Sequence, residues 1–322
     1  MKRSTKIWLV VAIALVLIGI IIIEGALILI DFDFSKLATN RYETNEYVID
    51  ESFEGISIIT DTADISFVIS EQENPRIVCF EQSNVKHQVL VNDGTLSIEC
   101  RDERRWYEYI GINWDSPTIT VYLPKGQYGD LSVKTDTGAV EIPKDLKFGD
   151  IDISTDTGVV KVLSSAEGNV KVKTDTGLVK IDNISALSID VTVSTGEVAI
   201  KNSKVSGDVS VTVDTGKAKV TNVKCQNFTS KGDTGDLTVV NTVAAQKIYV
   251  ERDTGDVAIG TSDAQEIYIQ TDTGDVWCKW LSPKIVVAHS DTGRISVPES
   301  AEGGRCEVRT DTGDIEIIIK SN

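Results

Sequence analysis

The sequence predicts an all-β chain: a parallel β-solenoid (β-helix) of about ten 19–20-residue coils, with an N-terminal β region and one transmembrane helix ahead of it. Three observations predict this. Asp-Thr-Gly recurs along the chain, with one Ser-Thr-Gly variant at Ser194-Thr195-Gly196. Its glycines are Gly138, Gly158, Gly177, Gly196, Gly216, Gly235, Gly255, Gly274, Gly293 and Gly313, and every step is 19 or 20 residues. Such a period is the signature of a repeat architecture. Second, the positions seven and five before each glycine, and two and four after it, are apolar in every coil except at Ser230. Third, hydrophobic residues make up 41% of the 322, yet only 7 Phe, 5 Trp and 8 Tyr are present. Val and Ile must therefore fill the core, and β-branched side chains favour strands.

Residues 1–6 are basic, and Ile7 to Ile30 is apolar apart from Glu24. At about 1.5 Å per residue this run crosses a hydrocarbon core of about 30 Å. The alternative is a cleaved signal peptide, whose apolar region is about 7–15 residues with small residues before the cut. This run is longer, and no clear small-x-small site follows it. We expect an uncleaved single-pass membrane anchor over 7–30. Lys2, Arg3 and Lys6 would hold residues 1–6 in the cytoplasm and place the rest outside the cell. Glu24 lies near the outer interface, reaching water, or contacts a partner helix.

Residues 31–54 read as a polar stalk, and 55–130 as an N-terminal β region. Within it, Thr60-Asp61-Thr62-Ala63 between alternating apolar residues resembles a degenerate repeat with Ala63 in place of glycine. Strand-like runs follow at 76–81, 87–92, 96–100 and 118–123, with Asn92-Asp93-Gly94 as a hairpin turn. Residues 101–116 interrupt the pattern with Trp106, Tyr107 and Trp114 among their aromatics. They form either a binding loop or a cap over the first open coil.

From residue 131 to 322 the repeat is regular. Each unit reads as an alternating strand, an Asp-Thr-Gly corner and a second alternating strand. The inward parity changes across the corner, where a glycine at positive φ would supply the bend. The Asp would accept from the glycine N–H, and the Thr would bond along the stack. One apolar residue per closing linker (Leu146, Ala166, Leu187, Val205, Ala264) would plug a third corner. Ten coils at about 4.8 Å make a rod of about 48 Å. An antiparallel meander is the rival arrangement, but uniform spacing and matching columns favour stacked coils.

Asp-Thr-Gly is also the aspartic-protease corner, in which two carboxylates share a proton. That site is singular and follows apolar residues; these copies recur evenly and follow polar ones. His87 and His289 are far apart, and no Cys or His cluster has zinc spacing. We assign no catalytic residues and no resident cofactor. Cys278 and Cys306 fall two coils apart in sequence, too far to bridge; Cys79 and Cys100 could pair. Residues 1–30 carry a net +2 (Lys2, Arg3 and Lys6 against Glu24), so −19 of the chain's net −17 lies beyond them. Such a surface repels nucleic acid and anionic lipid.

Two features point to ligands. Tyr249 and Tyr268 share an outward column on adjacent coils, with Trp277 and Trp280 close by. They read as a patch for a surface protein or glycan, or as scattered surface aromatics. Three coils read Asp-Thr-Gly-Asp, pairing Asp233 with Asp236, Asp253 with Asp256, and Asp272 with Asp275. The second Asp of each pair has no obvious local donor. Calcium, a hard cation with flexible oxygen coordination, could collect these ligands. The alternative is a solvated acidic face, and no Gly-Gly-x-Gly-x-Asp calcium repeat is present.

With the anchor, the Leu123-Pro124 strand end and the repeated Thr-Asp-Thr-Gly-x-Val-x-Ile, the chain resembles the bacterial putative-adhesin β-strand-repeat family, a domain of unknown function. It is similar to membrane-anchored proteins of Lia-type envelope-stress operons in Gram-positive bacteria. The resemblance covers Phe53 to Ile319. It implies a right-handed solenoid outside the membrane, a binding, adhesion or envelope-stress role, and no established catalytic residues. A carbohydrate-active β-helix enzyme acting on cell-wall or surface polysaccharide is the alternative, since parallel β-helices include polysaccharide lyases and hydrolases.

Overall fold

A computed structural model describes residues 3–29, 41–102, 104, 115–300 and 302–320. Helix α1 (Arg3–Leu29) contains a 23-residue apolar span, Ile7–Leu29, long enough to cross a membrane. Its described side chains are nearly all exposed, as a helix apolar all round must be without a lipid or protein partner. Among the described residues all the other regular elements are strands.

Among the described residues nine strands come first: β1 (Tyr42–Val48), β2 (Gly55–Thr62), β3 (Asp64–Ser70), β4 (Arg76–Gln82), β5 (Val85–Asn92), β6 (Thr95–Asp102), β7 (Thr118–Pro124), β8 (Leu131–Thr137) and β9 (Val140–Ile142). The stalk reading thus fails for residues 42–48, which pair antiparallel with β4. Residue 130 is not a boundary either. Strand β2 pairs in parallel with β8, Ile56 beside Leu131, and β3 pairs with β9, so residues 55–70 are a coil of the same solenoid. Ala63 is buried at the glycine position of that coil. Asp93 and Gly94 both take positive φ, and they turn β5 onto β6.

The coils stack in parallel with like residues beside like. Thr157 lies beside Thr176, Gly158 beside Gly177, and Val160 beside Val179. The four apolar columns form one continuous core. A fifth inward column lies three before each glycine. There Thr135, Thr174 and Thr271 are buried, and each hydroxyl donates to the carbonyl of the Thr two residues on. The bonding threonine is therefore the one before the motif, not the one inside it.

The stack does not follow chain order at its ends. Strands β6 and β7 lie outside β2 and β3, which sit between them and β8 and β9. At the other end, strand Gly304–Thr312 lies between Glu266–Thr273 and Lys284–Thr292. The coil of Gly313 is thus inserted between those of Gly274 and Gly293. The Gly293 coil is outermost, and its column residues Ile295 and Val297 are 44% and 37% exposed. Cys278 and Cys306 consequently lie in adjacent coils rather than two apart, and both are buried and free. At each end, the first or last coil in sequence is covered on both sides.

Three further expectations are corrected. The corner glycine N–H donates to the Thr carbonyl of the next coil, as from Gly138 to Thr157, not to the aspartate. Gly216 has φ 137°, but Gly158 and Gly177 do not take positive φ. What excludes a side chain at Gly177 is stacking: a Cβ would lie 1.8 Å from the Gly158 carbonyl oxygen. In the linker, Leu187 is 50% exposed and Ala186 is the buried neighbour.

Ser230 is explained by its partner. Arg252 occupies the inward Thr column of the next coil and is buried. Its Nη2 donates to Ser230 Oγ at 2.8 Å and its Nη1 to the Val213 carbonyl at 3.4 Å. Gly232, beside Arg252 in register, leaves the room; a Cβ there would meet Nη1 at 1.8 Å.

Candidate functional site

The outward face of three successive coils carries most of the candidate chemistry. Strand geometry turns alternate residues outward, giving rows Lys247-Tyr249-Glu251, Glu266-Tyr268-Gln270 and Arg305-Glu307-Arg309. Tyr249 and Tyr268 are brought together as expected: their rings stack at 5.2 Å between centroids, 10° from parallel. Their hydroxyls are fixed by donation to Glu251 Oε2 at 3.0 Å and to Gln270 Oε1 at 2.5 Å. Lys247 and Lys231 lie 5.0 and 5.4 Å from the Tyr249 ring centre, within cation–π range. Tyr268 lies beside Glu307 in register and borders a hollow of ≈ 190 Å³ with Lys247, Glu266 and Arg305. Trp277 is 38% exposed, but Trp280 is fully buried and belongs to the core. Trp106, Tyr107 and Trp114 lie outside the described residues.

The acidic corners form a ladder with a definite direction. Asp236 Oδ1 accepts the Asp256 N–H at 3.3 Å, Asp256 Oδ1 the Asp275 N–H at 2.9 Å, and Asp275 Oδ1 the Asp314 N–H at 2.8 Å. The donor to each second aspartate is thus not local: it is the backbone of the next coil. Arg294 closes the ladder. Its N–H donates to Asp314 Oδ1 at 2.8 Å and its guanidinium to Oδ2, holding that carboxyl below its ordinary range. Lys217 lies 3.6 Å from Asp236 at the other end. Asp233, Asp253 and Asp272 are exposed. A second ladder went unread in the sequence. Asn202, Asn222 and Asn241 take φ of 50–56° at another corner, and each side-chain amide donates to the residue one coil before.

The fold also assembles a cluster that spacing alone does not reveal. Cys79 and Glu81 share the core face of β4, and His87 opens onto them from β5. His87 Nδ1 lies 2.6 Å from Glu81 Oε2, and its Nε2 lies 2.8 Å from Thr60 Oγ1. Asn45 Nδ2 donates to Glu81 Oε1 at 2.7 Å, and the His87 backbone N–H to Oε2. Burial alone would raise the Glu81 carboxyl; the hydrogen bonds from His87 and Asn45 outweigh it and hold the group below its ordinary range. Burial, then the nearby Glu81, pushes the Cys79 thiol up to about 12. Cys100 does not pair with Cys79; both thiols are free. The legible signal was Cys-x-Glu on one strand face and a His just past a tight turn. His289, by contrast, is exposed beside Asp291.

Comparison with known proteins agrees with this architecture. A protein named as a putative lipid binding protein from Parabacteroides distasonis matches with a TM-score of 0.52 at 16% identity, over 76% of this chain and 98% of its own. Putative adhesins from Bacteroides fragilis and Parabacteroides distasonis match with TM-scores of 0.43 and 0.41, at 16% and 10% identity. They cover 75% and 86% of this chain, and 97% and 98% of their own. No curated protein is similar in sequence. The Toastrack DUF4097 family model matches residues 53–212 and 200–322, and the chain belongs to that family.

Proposed function

We propose that the chain is a non-enzymatic, single-pass surface protein of the bacterial cell membrane. Its solenoid is held outside the membrane to bind a partner, either an adhesion target or a component of the envelope-stress response. The observation that carries the binding reading is the Tyr249–Tyr268 face: stacked aromatics flanked by side chains of both signs on an otherwise acidic rod. Rigid aromatic area with adaptable polar neighbours is the composition of recognition surfaces. A surface protein or glycan fits it; nucleic acid does not. A glycan-cleaving site would need two poised carboxylates across a groove. On this face Glu251 is engaged by Tyr249 and Lys231, and Glu307 by Arg305 and Arg309.

The test is attachment by cells that display the full chain. Replacing Tyr249 and Tyr268 with Ser is expected to reduce retention on glycan arrays or immobilised envelope proteins without lowering the melting temperature. Lipid vesicles form a further arm, because lipid binding appears in the name of the Parabacteroides protein. Unchanged retention in the double variant would end the assignment of this face. The anchor reading is tested separately: protease added to protoplasts should digest the solenoid, and protection would overturn the orientation.

A further inference from the structure

We propose that Cys79, Glu81 and His87 form a binding site for one divalent transition-metal ion of the zinc class. The thiol sulfur, a carboxylate oxygen and an imidazole nitrogen all lie within 4.8 Å of one another, and all three residues are buried. Thiolate, imidazole and carboxylate together are the ligand set of a borderline cation, not of calcium or magnesium.

The atoms behind the ligands are already engaged. Asn45 holds Glu81 Oε1, which leaves Oε2 facing inward. Thr60 engages His87 Nε2, which leaves Nδ1 facing that oxygen. A second partner on each ligand's far atom is the usual support of a metal site. Tetrahedral bonds of about 2.0–2.1 Å place neighbouring N and O ligands about 3.3 Å apart. The 2.6 Å His87–Glu81 separation must therefore widen by less than about 1 Å. His87 also borders two surface hollows of ≈ 240 and ≈ 340 Å³, and an ion would have to enter past its ring, since Cys79 and Glu81 line neither. Binding displaces the Cys79 thiol proton and the proton held between Glu81 and His87. The ligands come from β4 and β5, and their supports from β1 and β2. The ion would hold β5 to β4 and, through the His87–Thr60 contact, both to the coil of β2.

The test uses the full chain in detergent, stripped with chelator and then titrated with cobalt(II) as an optical stand-in for zinc. One equivalent should produce a sulfur-to-cobalt charge-transfer band, with the visible bands of a four-coordinate ion, and one equivalent of zinc should abolish both. Cys79→Ser should remove the charge-transfer band, and Cys100→Ser should keep it. Asn45→Ala, which leaves every ligand in place, should weaken affinity about 10–100-fold. The wild-type titration does not depend on any variant folding. No charge-transfer band at saturating cobalt, or a band that survives in Cys79→Ser, overturns the site.

Discussion

Gly177→Ala is the smallest change that tests what holds the coils at their spacing. The added Cβ would sit 1.8 Å from the Gly158 carbonyl oxygen, where such contacts essentially never fall below 3.0 Å, so the backbones must part by about 1.2 Å. The obstacle is backbone, fixed by parallel pairing on both sides, and cannot rotate away. Forcing one methyl into a packed site costs about 1–3 kcal/mol. Parting the rungs also weakens two or three corner hydrogen bonds at about 1 kcal/mol each. The expected loss is about 3–6 kcal/mol, or about 6–12 °C in melting temperature at about 2 °C per kcal/mol for a large domain. Asp175→Asn is the control. Asp175 is exposed, so the change should stay within about 0.5 kcal/mol. Circular dichroism melts of the wild type and both variants decide it. A Gly177→Ala protein melting within 2 °C of the Asp175→Asn protein would refute the clearance argument.

Other outcomes follow from the same geometry. Ser230→Val alone strips Arg252 of its best acceptor and should cost about 1–3 kcal/mol. Adding Arg252→Thr restores the residues other coils carry there and should recover most of the loss; a double variant no better than the single one would contradict the pairing. Amides of 304–319 should exchange with deuterium more slowly than those of 284–296, despite lying nearer the C-terminus, because their coil is covered on both sides; the reverse order would refute the inserted coil. Millimolar calcium should raise the melting temperature no further than sodium at equal ionic strength, because backbone donors, Lys217 and Arg294 already offset repulsion along the aspartate ladder. An excess shift that disappears when Asp236, Asp256 and Asp275 become Asn would instead establish calcium binding.

The columns were legible because stacking forces the same residue type onto the same position in every coil. That single constraint yields the solenoid, the inward strands and the glycine corner from periodicity alone. Hydrogen-bond partners were less legible, because the corner donors come from a neighbouring coil, 19 or 20 residues away along the ladder and 39 at the inserted coil, rather than from the local turn. The aspartate ladder, the Asn202–Asn222–Asn241 ladder and the glycine N–H bonds all have that origin. The Cys79–Glu81–His87 cluster was hidden for a different reason. It lies where the repeat gives way to antiparallel pairing, and Thr60 comes from a separate coil.

Coil order is the hardest feature to read, and the reason is physical. Coils with identical columns are interchangeable neighbours, so placing the Gly313 coil inside the Gly293 coil leaves every apolar column intact. The spacing is no guide, since both steps are ordinary. One local mark does carry the information. Gly303 and Gly304 stand together where the chain must pass between two coils. A Cβ at Gly303 would lie 2.0 Å from the Pro283 carbonyl, and one at Gly304 would lie 2.2 Å from that of Gln265. Those two carbonyls belong to the coils on either side of the inserted one. A side chain at either position would hold the slot open. The consequence is that residues 304–319 cannot peel away alone, because their coil is paired on both faces. At this end, fraying must begin at the Gly293 coil, which among the described residues pairs with the inserted coil alone.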